Sequence, residues 1–112
     1  MKHVTYGEKS LLMDDDAADA LLEYARLVAD NSTADTVTIR SISPDGNTVE
    51  ASFLLNASTV LMAESTNSEV EPPDNTDAVA EIRERIDAIL RPAEMATDEP
   101  WDQADYGTPG AI

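Results

Sequence analysis

Carboxylates are the most abundant chemically active groups in this chain. Of its 112 residues, 23 are Asp or Glu and seven are Lys or Arg. Paired carboxylates can act as general acid and base when a cleft moves their pKa values apart. The candidate pairs are Glu81 with Glu84 and Asp74 with Asp77. Both pairs fall on the polar side of a predicted helix, where water solvates them, so we expect no carboxylate chemistry there.

Other catalytic chemistries lack the residues that they need. There is no cysteine, which excludes disulfides, thiolate zinc sites and cysteine nucleophiles. The one histidine, His3, has no nearby Asp and Ser in a nucleophilic arrangement. The run Asp14-Asp15-Asp16 does not continue with the spacing of a calcium loop, and the four glycines do not form a phosphate-binding loop. We predict a non-enzymatic protein with no catalytic, metal or cofactor site.

The formal charge of −16 bears on the partners of the protein. Residues 1–91 contain 18 acids and seven bases, a net charge of −11, and residues 92–112 contain five acids and no base. Such a surface repels nucleic-acid phosphates and anionic lipids. We therefore expect neither direct nucleic-acid binding nor membrane binding. A protein partner with a basic surface fits the charge, although the acidity could also serve solubility alone.

The last 21 residues, 92–112, differ from the rest of the chain. They contain three Pro, two Gly, one Trp and one Tyr, a composition typical of disorder. Large aromatic side chains often dominate the binding energy of an interface. The alternative is that Trp101 folds back on its own domain. The predicted partner-binding residues of this acidic tail are Trp101, Tyr106, Asp102, Asp98 and Glu99.

Two segments have helical periodicity. The first helix is predicted from about Asp15 to Asp30, capped by the preceding carboxylates. Its apolar stripe consists of Ala18, Leu21, Leu22, Ala25, Val28 and Ala29. The second helix is predicted from about Thr76 to Leu90, with Asp74 or Asn75 as its cap and Pro92 after its end. Its stripe consists of Val79, Ile82, Ile86 and Ile89.

The remaining segments alternate as strands do. Gly7-Glu8 separates two short β-prone runs and predicts a hairpin. Residues 36–42 and 48–55 flank a turn at 43–47, and a fifth, short strand follows at 60–64. A symmetric turn pairs Arg40 with Glu50 and Thr38 with Ser52 on one face, while Ile39 meets Ala51 and Val37 meets Phe53 on the other. A slip of one residue would bury Arg40 and Glu50, so the polarity favours this register.

These elements predict an α+β fold in the order ββαβββα. Two helices pack on one face of an antiparallel sheet and leave Thr38, Arg40, Glu50 and Ser52 on the other. Residues 1–91 form a single domain, and 92–112 form the acidic tail. There is no apolar run of signal-peptide or membrane-span length, which favours a cytoplasmic protein.

The opening of the chain resembles small acidic actinobacterial proteins of unknown function. The resemblance is carried by Tyr6-Gly7, by Leu11-Leu12-Met13-Asp14-Asp15 and by the helix that follows. It covers about the first third of the chain and implies no activity and no site residue.

Three functional hypotheses follow from these features. The leading one is a protein-interaction module with an acidic surface and an aromatic-bearing tail. The second is a nucleic-acid mimic or inhibitor whose carboxylates occupy a basic groove. The third is a carboxylate-based enzyme or a small-ligand binder that uses Arg40, Glu50 and Ser52 on the exposed sheet face. The protein can be a monomer or a homodimer, because an exposed strand edge can pair with a second copy.

Overall fold

The computed structural model describes residues 1–91. It confirms the predicted α+β fold and its ββαβββα order. The elements are β1 (Lys2–Tyr6), β2 (Lys9–Met13), α1 (Asp15–Asp30), β3 (Asp35–Ile42), β4 (Thr48–Leu55), β5 (Leu61–Ser65) and α2 (Thr76–Leu90).

The five strands form one antiparallel sheet in the order β4-β3-β2-β1-β5. The predicted register of the long hairpin is confirmed, with Arg40 opposite Glu50 and Thr38 opposite Ser52. Within residues 1–91 the ladder between β2 and β3 consists of a single pair, Leu12 with Ile42. The sheet therefore consists of a β3–β4 hairpin and a β2-β1-β5 unit that are joined by a single ladder pair.

The sheet is strongly curled. Its two edge strands, β4 and β5, would lie roughly 19 Å apart in a flat five-stranded sheet. A tight turn nevertheless joins them, closed by a hydrogen bond from the Thr59 N–H to the Asn56 carbonyl at 3.1 Å. The Tyr6 hydroxyl on β1 donates to the carbonyl of Leu54 on β4 at 2.6 Å, and its ring meets Phe53 edge-on at 5.6 Å. The end of β4 is thereby held against β1.

The concave side of the sheet contains the core, and both helices contribute to it. Alanines in α1 let its backbone approach the strands closely, and Leu21 and Val28 fill the space between. From the strands the core takes Val4, Leu11, Met13, Val37, Ile39, Phe53 and Leu55. Ile82 and Ile86 are the buried positions of α2. Thr38, Arg40, Glu50 and Ser52 are exposed on the other face, as predicted.

The two helices run in the same direction. Asp14, the N-cap of α1, accepts a hydrogen bond from the Asn75 side chain at the start of α2 at 2.9 Å. A little over two helical turns further along, Arg83 of α2 donates to Glu23 of α1 at 2.8 Å. Both N-termini therefore lie at one end of the molecule. Carboxylates there interact favourably with the positive ends of the helix dipoles.

Helix α2 runs along β3 on the side where β2 has separated from it. The Asn75 side chain accepts from the Arg40 N–H at 2.8 Å and donates to the Arg40 carbonyl at 2.9 Å. Ten residues later, Arg85 donates to the Thr36 carbonyl at 3.3 Å. Side chains of α2 thus satisfy backbone groups of β3 that a neighbouring strand would otherwise pair with.

Candidate functional site

The predicted tail site lies outside the described residues. Trp101, Tyr106, Asp102, Asp98 and Glu99 all belong to 92–112. Their role as partner-binding residues stays a prediction.

The exposed sheet face forms a small cleft of about 240 Å³. Arg40 and Glu50 line it together with the first turn of α2, whereas Ser52 is not part of its lining. Two further carboxylates, Asp74 and Asp77, share this cleft with the single guanidinium. A hydrogen bond from the Thr76 hydroxyl holds the pKa of Asp74 below its ordinary value, which keeps that carboxylate ionised. An anion entering the cleft would meet three carboxylates and one arginine, so the arrangement does not suit an anionic ligand.

A second cluster of charged groups ties three elements together. The Tyr24 hydroxyl of α1 donates to the carboxylate of Asp35 at the start of β3, which also accepts from Arg85 of α2 at 2.9 Å. The hydrogen bond from Tyr24 lowers the pKa of Asp35, and burial raises the pKa of Tyr24. Arg85 also pairs with Glu81 one turn earlier. Because its donors and acceptors are matched among themselves, we interpret this cluster as a structural clamp.

Two further classes of site, metal centres and membrane spans, concern the helices and the charged side chains of residues 1–91. Among residues 1–91, no three histidine or carboxylate side chains come together in a way that could hold a metal ion. No helix in that part of the chain has the length and apolar character needed to cross a bilayer.

A groove of about 670 Å³ lies between α1 and the β4–β5 turn. We call it the α1–β5 groove. Its apolar floor includes Leu22, which is 43% exposed, and Ala25. The other lining residues are Asp19, Glu23, Arg26, Ala29, Asn56, Thr59 and Leu61.

One side of this groove is the free edge of the sheet. In the described part of the chain, β5 pairs with β1 alone. The Gly7 N–H donates to the Val60 carbonyl at 3.2 Å, so the backbone of Val60 points toward β1. Backbone groups alternate in direction along an antiparallel strand, which turns the N–H and C=O of Leu61, Ala63 and Ser65 to the open side.

Exposed apolar side chains accompany this edge. Val60, just before β5, is 74% exposed, and Met62, on the outer face of β5, is 50% exposed. Leu61 and Ala63 point the other way and pack against the core. The other outward-facing residue of β5, Glu64, is charged, so the outer face combines an apolar and an acidic group. The outer face of β5 and its free edge have the composition of a contact surface.

The rim of the groove is charged but internally paired. Lys2 lies 2.6 Å from Asp19, and Arg26 lies 3.2 Å from Asp30. Glu23 is paired with Arg83 of α2. These exposed pairs each contribute little to stability, because water screens them, and their side chains can exchange partners at small cost. A basic side chain from another molecule could therefore bind at this rim.

Sequence reasoning missed this groove. It depends on β5 pairing with β1, which is more than 50 residues away in the chain, and on the curl of the sheet. The run Val60-Leu61-Met62-Ala63 was a usable signal, because it is apolar at every position and does not alternate.

No protein-family model, curated protein or solved structure matches this chain. The geometry of the described residues is therefore the basis for a functional conclusion.

Proposed function

We propose that this chain is a non-enzymatic protein-interaction module that binds a partner bearing basic residues. The observation that carries the proposal is the open edge of β5 beside the α1–β5 groove. Its exposed apolar residues, and backbone groups that have no partner within residues 1–91, offer hydrophobic contact and hydrogen bonds on one surface.

Edge strands are usually protected against such contact. Prolines, lysines and β-bulges are common devices, and a covering loop is another. β5 contains neither proline nor lysine, and its one charged side chain is Glu64. β5 is short, which limits non-specific pairing, but no other strand of residues 1–91 covers its edge beside the groove. This combination favours a specific partner.

Charge defines the kind of partner. Residues 1–91 carry a net charge of −11, and the tail adds −5. Long-range attraction speeds the encounter with a basic protein and disfavours acidic competitors. Nucleic acids are repelled for the same reason.

The tail provides a second contact in this proposal. Trp101 and Tyr106 would bind the same partner as the α1–β5 groove. Since both segments belong to one chain, binding of one raises the effective concentration of the other. Loss of either contact should weaken capture of the partner without abolishing it.

Site-specific photo-crosslinking in host cells tests this function. The full-length chain carries a photoreactive amino acid in place of Met62, and a matched chain carries it in place of Glu84 on the exposed face of α2. We expect a discrete protein adduct from position 62 and not from position 84. Identical adducts from both positions, or none from either, would contradict the proposal.

A nucleic-acid mimic is the second candidate, and one observation favours it. The parallel helices bring Asp15, Asp16, Asp74 and Asp77 to the same end of the molecule. A mimic would present such carboxylates to a basic groove. Duplex DNA added to the purified complex distinguishes the two functions: a mimic is displaced from its partner by DNA, and a module bound through β5 is not.

A further inference from the structure

We infer that the α1–β5 groove binds its partner as an added strand, so that an extended segment of the partner lies antiparallel or parallel to β5 as the sixth strand of the sheet. The inference rests on the proposed function and deepens it. The segment has apolar side chains at alternate positions with Lys or Arg between them.

The backbone of β5 is prepared for this mode of binding. The outward N–H and C=O groups of Leu61, Ala63 and Ser65 recur at every second residue, which is the spacing of a strand ladder. In binding by strand addition, the main chain supplies affinity and side-chain pockets supply specificity. Strand addition also needs space beside the free edge, and the groove between β5 and α1 provides it.

The inward and outward faces of β5 determine which types of side chain fit the added segment. Residues of an added strand that face inward would pack on Leu22, Ala25 and Leu61 in the groove. Those that face outward would lie beside Met62 and Glu64. Glu64 is 53% exposed and lies 3.3 Å from the His3 ring. Apolar residues therefore fit the inward positions, and basic residues fit the outward positions and the rim at Asp19.

Charge favours a basic partner segment over two other candidates for this groove, the chain's own tail and a second copy of the chain. The chain's own residues 92–112 contain five acids and no base, and they would enter a site on a body of charge −11. A second copy would bring −16 against −16 and place its own Glu64 at the shared edge. Like charges at a strand pair are destabilising. A basic segment of another protein is the occupant that the charges favour.

Binding of synthetic peptides to the full-length protein tests the inference. The probes are an alternating Lys-Val octapeptide, the matching Glu-Val octapeptide, and two Lys-Val peptides that carry backbone N-methyl groups on all Val or on all Lys residues. Nitrogen-15 NMR titration reports both affinity and position. We expect the Lys-Val peptide to bind at least tenfold more tightly than the Glu-Val peptide and to shift the amides of Leu61, Ala63 and α1 residues 22–29.

The N-methyl pair tests hydrogen bonding along the strand. Only one edge of an added strand faces β5, so one of the two patterns removes its donors and the other does not. We expect one methylated peptide to lose about tenfold or more in affinity relative to the other. Equal affinities of the two would show that the peptide does not extend the sheet and would overturn the inference.

Matched substitutions locate the site. Leu22→Ser removes apolar contact from the floor of the groove, and Leu90→Ser makes the same change at an exposed position near the end of α2. Ala63→Pro removes an outward N–H from β5, and Ser52→Pro removes an outward N–H from β4, the other edge strand. We expect Leu22→Ser and Ala63→Pro to weaken Lys-Val binding about tenfold and the two controls to change it less than twofold.

The outcomes separate this inference from the proposed function. Shifts confined to the acidic end near Asp16 and Asp74, or to β4, would overturn strand addition at β5. So would an unchanged affinity in the Leu22→Ser variant, which keeps the helix and needs no change in the sheet. If such results accompanied a discrete adduct from position 62, the interaction function would stand and this binding mode would fall. Absence of any adduct would contradict the function itself.

Discussion

At the scale of single residues, Asn75 connects the start of α2 with β3 and with the N-cap of α1. It is 6% exposed, and its side chain bonds to both backbone groups of Arg40 and to Asp14. The sequence predicted Asp74 or Asn75 as the cap of α2. Asn75 occupies the N-cap position, but its side chain makes no capping bond, and Asp74 accepts from the Thr76 N–H. Local spacing cannot reveal this, because the partners of Asn75 are 35 and 61 residues away.

Replacing Asn75 should therefore cost more than the loss of a cap. Asn75→Ala leaves the N–H and C=O of Arg40 without partners beside a buried position. We expect a loss of about 2–3 kcal/mol in the free energy of unfolding, measured by urea denaturation. Asn47→Ala, in the exposed β3–β4 turn, should cost roughly 0.5 kcal/mol. Equal effects of the two substitutions would contradict the role assigned to Asn75.

The hydrogen bond from Tyr24 to Asp35 predicts a pH dependence. A carboxyl group whose pKa is lower in the folded than in the unfolded state stabilises the fold above its unfolded pKa, ordinarily 3.8. That contribution is lost as the pH falls through the lowered value. Tyr24→Phe removes the strongest cause of the shift, so we expect it to cost about 1 kcal/mol at pH 7 and less near pH 3.

Tyr6→Phe is the matched control for that experiment. The Tyr6 hydroxyl donates to a backbone carbonyl, which does not titrate. Its removal should lower the free energy of unfolding by a similar amount at both pH values. If the cost of Tyr24→Phe were equally constant between pH 7 and pH 3, the coupling to Asp35 would be wrong.

At the scale of elements, the sequence predicted what local periodicity controls. The bounds of both helices, the tight turn at Gly7 and the register of the β3–β4 hairpin follow from patterns within about 20 residues. The order of the strands in the sheet does not follow from such local patterns. The pairing of β1 with β5 joins residues such as Val4 and Ala63, and no local pattern specifies it. The candidate groove depends on this non-local pairing, so the sequence did not predict it.

The parallel helices have an electrostatic consequence. Their C-termini lie at the same end, and neither has a basic residue in its last turn. Asp30→Lys places a positive charge at the negative end of α1, where cations are favoured by about 0.3–1 kcal/mol. We expect a gain of about 0.5–1 kcal/mol in the free energy of unfolding at low salt, partly offset by loss of the pair with Arg26.

The control is the same charge change at the opposite end of the helix. Asp16→Lys alters the net charge by the same amount but puts the cation at the positive end of α1. It should destabilise the protein by a comparable amount, and both effects should shrink at high salt. If both substitutions stabilised the fold equally, overall charge and not helix polarity would be the cause.

At the scale of the whole molecule, composition predicted an acidic body and could not show where a partner binds. The curl of the sheet holds the end of β4 against β1, and among residues 1–91 it leaves β5 with one neighbouring strand and a groove beside it. Charge is spread over the surface, whereas the free edge of β5 and the exposed Val60 and Met62 lie together beside one groove. We therefore propose that β5 supplies the affinity for a partner and that the acidic surface as a whole supplies the selectivity for basic partners.

Amide hydrogen exchange in the free, full-length protein tests the open edge directly. Within β5, the N–H groups of Leu61 and Ala63 face the groove, and those of Met62 and Glu64 face β1. We predict that Leu61 and Ala63 exchange at least tenfold faster than Met62 and Glu64, and that the partner captured through position 62 removes the difference. Equal protection of all four amides in the free protein would show that the edge of β5 is already occupied and would contradict the account.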